Sequence, residues 1–93
     1  MSDRPTLQQA AADAITVQSA CNISGVVHAF ARAMYAITDD CRAKGQGSDA
    51  ARGHPITLLF VDKLRSMGWN PSPMAFAAAY ADCEKMAGEK VEA

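Results

Sequence analysis

Apolar residues at Ile23, Val27, Phe30, Met34, Ile37 and Cys41 follow one another at steps of three and four, the spacing of one helical stripe. Upstream, Thr6 with Gln9 three residues on is a capping-box pattern, and Pro5 stops a helix from extending backwards. No proline interrupts the chain from Leu7 to Ala43, so the pattern predicts one long helix over 7–43. Gly45 is placed to end it. A second stripe, Ile56, Leu59, Phe60, Leu64 and Met67, starts behind Pro55 and stops at Gly68, predicting a helix over 55–67. After the Trp69-Asn70-Pro71 turn, Ser72 caps a third helix over 73–87, with Phe76, Tyr80, Cys83 and Ala87 on one side and Gly88 as its stop. No strand alternation and no internal repeat occur. The expected architecture is all-α: a single helical domain over 1–93, with a long N-terminal helix, two shorter ones and flexible ends.

The proportions pose a problem. A helix of 37 residues spans about 55 Å, whereas the second spans about 20 Å. Either the first element breaks near Asn22-Ile23-Ser24-Gly25, or another copy of the chain covers the excess. Composition favours the copy. Only sixteen of the 93 residues are Ile, Leu, Val or Phe, while Ala is abundant. A lean core in a small chain is commonly completed by association. The expectation is therefore a continuous or mildly kinked first helix, packed as a bundle completed by homo-oligomerisation, with Gly25 at a close helix contact.

A formal net charge of −1 lacks the basic excess of a nucleic-acid-binding surface. No apolar run approaches the roughly 20 residues of a membrane span, and the N-terminal residues lack a signal core. The chain is thus expected in the cytosol. Its three cysteines, Cys21, Cys41 and Cys83, lack disulfide or zinc spacing and read as reduced packing residues.

The side of the first helix opposite its stripe carries the chemistry. Gln18, Cys21, Gly25, His28, Arg32, Tyr35 and Asp39 lie there, with Asn22 on a flank, and no Lys or Glu occurs before Arg42. An ordinary solvated face would be rich in both. These residues suit contact: Arg32 has a planar fork for an anion, Tyr35 a ring for stacking, and His28 and Asn22 hydrogen-bonding groups. The bland alternative is an assembly surface. Catalysis is not expected, because Cys21 and His28 stand about 10.5 Å apart along a straight helix, far beyond the reach of a nucleophile and its base. No metal or cofactor is implied. The loop from Arg42 to His54 is rich in glycine and basic residues but lacks the order of a phosphate-binding loop. It reads as a flexible connection offering Arg52 as a contact, with His54 at or beside the cap of the second helix. Trp69 completes the loop candidates.

The string Gln18-Ser-Ala-Cys-Asn-Ile-Ser-Gly-Val-Val-His28-Ala-Phe30, followed by His54-Pro55-Ile56, resembles a group of small, functionally unassigned proteins of bacteriophages and mobile elements. The resemblance spans about 18–64. Members of that group tend to carry Asn two residues before the His-Pro-Ile, where this chain has Arg52. The resemblance implies a context and no particular activity: small phage proteins often block a host protein or sequester a host signal. Taken with the polar face of the first helix, that context leads to the expectation of a non-enzymatic phage-type binding protein in the host cytosol, taking a nucleotide-derived defence signal at Asn22, His28, Arg32 and Tyr35. Docking on a host defence complex is the alternative, and a purely structural phage component is a third class.

Overall fold

The first predicted helix is two. In the computed structural model, which describes residues 5–92 and the side chains of 5–86, α1 covers Leu7–Thr16, a 3₁₀ turn covers Val17–Ser19, and α2 covers Ile23–Ala43. Thr6 caps α1 as its sequence pattern predicts, its Oγ1 accepting from Gln9 N at 3.1 Å. At the break, Ala20 turns extended at ψ 145°. Asn22 then caps α2, its Oδ1 accepting from Ser24 N at 2.9 Å. The physical gain is burial. Folding back lets Ala10, Ala14 and Val17 pack against α2 and α4 instead of standing in water. The longest dimension is consequently 39 Å, short of the span an unbroken helix would need.

The remaining elements are α3, Ser48–Arg52; α4, Pro55–Ser66; and α5, Pro73–Glu92. The short α3 lies inside the segment expected to be a flexible connection, anchored by the fully buried Ala51. α5 runs through Gly88, which was expected to stop it. The packing expected of Ala87 lies outside the described side chains. The expected flexible ends fall partly on residues 1–4 and 93, outside the described chain.

Two glycines do end helices as read. Gly45 (φ 70°) and Gly68 (φ 94°) adopt the left-handed conformation that side chains resist. Behind them, Gln46 N donates to Cys41 O at 2.8 Å and Trp69 N to Leu64 O at 3.0 Å, the paired pattern of a Schellman motif.

α4 lies antiparallel to α2. His54 meets Asp40 at one end, Phe60 stacks on Phe30 in the middle, and Trp69 reaches Ile23 and Val27 at the other. The Phe30 and Phe60 rings are 5.3 Å apart and 20° from parallel, and Phe76 of α5 adds a third ring 6.4 Å from Phe30. The buried side of α2 is Val26, Phe30, Ala33, Met34, Ile37 and Cys41. It is rotated from the predicted stripe. Ile23 and Val27 are each 38% exposed, because the folded-back α1 draws the Val26 and Ala33 side inwards. Leu59, expected in the core, is likewise exposed. Gly25 has open space around it: among the described residues a Cβ there would meet nothing within 4 Å.

Candidate functional site

Among the described residues, two grooves bring chemistry-bearing side chains together. The first, of about 560 Å³, is lined by Ile23, Ser24, Val27, His28, Ala31 and Trp69. α2 supplies all but the last. Trp69 arrives through the Gly68 turn and remains 38% exposed. The sequence offered His28 and Trp69 as parts of separate sites; antiparallel packing of α2 and α4 joins them.

The other members of the predicted set disperse. Asn22 is occupied as the α2 cap. Arg32 lies one turn beyond His28, exposed, outside the groove lining. Tyr35 is half-buried, and its hydroxyl donates to Met86 Sδ of α5 at 3.4 Å. Neither groove formed by the described residues gathers the predicted cluster of Asn22, His28, Arg32 and Tyr35; a helix face spreads residues over several turns, and only neighbouring elements close a site.

The second groove, of about 690 Å³, opens between α3, α4 and the start of α5. Arg52, Thr57, Leu58, Asp62, Arg65 and Phe76 are among its lining residues. Of these only Arg52 was a sequence candidate. Arg52 Nη1 stands 3.8 Å from Asp49 Oδ1 across an exposed pair. Arg65 is steadied by its Nε, which donates to Asn70 Oδ1 at 3.1 Å. Sequence reading missed Thr57 and Arg65 because periodicity assigns residues to a core or a surface and is silent on grooves.

His54 is structural in both ring nitrogens. Nδ1 accepts from Ile56 N at 3.2 Å, capping α4. The ring proton therefore sits on Nε2, 3.1 Å from Asp40 Oδ2. Lys44 Nζ donates to the same carboxylate oxygen at 3.1 Å. The Lys44 hydrogen bond, aided by the one from His54, holds the Asp40 carboxyl below its usual value of 3.8 against a partial burial that raises it. A depressed folded-state pKa contributes stability above the unfolded value and loses it as pH falls through the folded one. Asp40→Asn is therefore expected to be less stable than wild type at neutral pH, and the two are expected to converge below about pH 3.8. Denaturant midpoints measured across pH test this; a constant difference down to strong acid would contradict it.

Burial raises the thiol of Cys41 above its ordinary range, with Asp40 adding to the effect, so the group stays protonated. Tyr80 is raised by burial too, and its hydroxyl donates to Gln46 O at 3.2 Å. Among the described residues no cluster of three His, Cys, Asp or Glu is placed to hold a metal ion, and no helix is long and apolar enough to cross a membrane. Comparison with protein-family models, curated proteins and solved structures yields no match to this chain.

Proposed function

We propose that the protein is a non-enzymatic binding protein that sequesters a nucleotide-derived host defence signal in the groove shared by His28 and Trp69. The observation that carries this reading is that one groove holds an exposed indole and an imidazole, with the Arg32 guanidinium one turn away. An aromatic side chain stacks on a base for about 1–3 kcal/mol. An arginine fork suits phosphate. The resemblance to small phage proteins supplies the biological setting. Homo-oligomerisation belongs to the same proposal: a second copy laid along the open backbone at Gly25 would cover Ile23 and Val27 and close the groove.

The alternative, a protein that docks on a host complex, is favoured by the same exposed Trp69 flanked by Ile23 and Val27, the arrangement of an interface anchor. The chain has a single tryptophan, so its intrinsic fluorescence reports on this groove directly. Titration with cyclic dinucleotides and mononucleotides is expected to change that emission and to raise the melting temperature, since a ligand of the folded state stabilises it. Trp69→Ala is expected to weaken binding tenfold or more, about 1.4 kcal/mol, with smaller losses in His28→Ala and Arg32→Ala. If no nucleotide changes emission or melting temperature, the sequestration reading fails. Binding that survives Trp69→Ala intact places the ligand outside this groove.

A further inference from the structure

We infer that the groove between α3, α4 and the start of α5 receives a second copy of this chain, through a two-fold contact in which Met74 of each copy enters the groove of the other. A two-fold contact joins one surface to itself, so each feature must find its complement on the same face. The apolar features do. Leu58 and Phe76 line the groove, which encloses about 690 Å³. Met74, at the start of α5, is 82% exposed. Its neighbour Pro73 lines the groove and Met74 does not, so the methionine stands outside the hollow of its own chain. An unbranched, polarizable thioether is well suited to fill the hollow of another. Leu58, 54% exposed, is a further apolar side chain turned outwards here.

Charge selects a second copy as the occupant. Asp49 and Arg52 line the groove at its α3 end, and Asp62 and Arg65 line it towards the end of α4. About 15 Å of helix separates Pro55 from Arg65. From α3 to the end of α4 the signs therefore run minus, plus, minus, plus. A copy turned by 180° about an axis across α4 presents plus, minus, plus, minus to the same positions. Arg52 then faces Asp62 of the second copy, and Asp49 faces its Arg65. A copy laid in the same direction would set like charges against each other. The four groups are open to such pairing. Asp49 is 99% exposed and holds Arg52 only loosely, at 3.8 Å, and Asp62 is exposed. Arg65 is fixed through Nε by Asn70 Oδ1, which leaves its terminal nitrogens to a second copy. The two grooves share no lining residue, so this contact is separate from the Trp69 groove and from the contact at Gly25.

Sedimentation equilibrium of the full chain from about 10 μM to about 1 mM covers the range of a transient contact between copies. Self-association is expected, with the amide resonances of Leu58 and Phe76 moving as the concentration rises. Leu58→Glu and Met74→Glu, both at exposed positions, are each expected to keep the helical circular dichroism and to weaken association about tenfold or more. Arg52→Asp alone and Asp62→Arg alone each set like charges at two places in the contact, and each is expected to weaken association by a similar factor. Mixed in equal amounts, these two variants are expected to associate as wild type does, because both cross-pairs are then of opposite sign. Trp69→Ala is expected to associate unchanged, so failure of the nucleotide reading leaves this contact standing. Association that is absent, or that persists in Leu58→Glu and Met74→Glu, overturns the inference. So does a mixture of the two charge variants that stays as weak as each alone. Amides of this groove that shift on adding a nucleotide and not with chain concentration would assign it to a small ligand and overturn it as well.

Discussion

Phe60→Ala is expected to lower the unfolding free energy by about 3–5 kcal/mol, as deletion of a buried aromatic ring typically does. Phe60 has no exposed surface and stacks on Phe30 where α2 and α4 cross. Alanine would remove the ring and its stacking partner's contact, leaving a cavity bounded by two helices that are tied at one end by His54 on Asp40, while Lys63 of α4 is held by the Gln18 carbonyl of the 3₁₀ turn. Collapse into the void is therefore restricted. A small domain has a total stability of about 5–15 kcal/mol, so the variant would stand near its unfolding threshold. Urea unfolding followed by circular dichroism gives the difference. Leu58→Ala, on the same helix but 54% exposed, is the comparison, with an expected effect several times smaller. Similar losses at both positions would mean that Phe60 is not the centre of the core. Should Phe60→Ala fail to fold, Phe60→Leu supplies a measurable intermediate.

Apart from the stop expected at Gly88, which α5 runs through, the helix ends were legible because each is decided locally. Thr6, Ser72, His54, Gly45 and Gly68 act through hydrogen bonds or dihedral preferences within a few residues, and all five stand where the sequence puts them. The break at 17–22 was legible only as an alternative: the excess length allowed a break near Asn22-Ile23-Ser24-Gly25, but the continuous or mildly kinked helix was preferred, although Asn22 is a good capping residue. An alanine-rich run without proline has strong helix propensity throughout, and what overrides it is the burial of Ala10 and Ala14 against elements tens of residues away. The same cause shifted the stripe of α2. Periodicity weighs Ile23 and Val27 above Ala33, yet small side chains mark the side where helices approach closely, and the larger ones were left at the rim of a groove. For the candidate site, His28 and Trp69 were each visible as residues of interest. Their meeting depends on the antiparallel placement of α2 and α4, which no local pattern encodes.

The folded-back α1 is open to a decisive substitution. Ala14 has no exposed surface, whereas Ala12, two positions earlier and about 200° around the helix, is exposed. Ala14→Asp is expected to cost about 3 kcal/mol or more at neutral pH, because a carboxylate at this fully buried position loses its hydration. Ala12→Asp changes the same helix by the same charge at a solvated position and is expected to stay within about 0.5 kcal/mol of wild type. Acid should narrow the gap: burial raises the pKa of the introduced carboxyl, so lowering the pH neutralises it in the folded state and removes most of the charge penalty. Denaturant unfolding of the two variants at neutral and acid pH reads all of this. Were α1 to stand away from the body as an extension of α2, both substitutions would be tolerated alike and neither would respond to pH. A large loss confined to Ala14→Asp, shrinking in acid, is the signature of a helix that packs on its own chain.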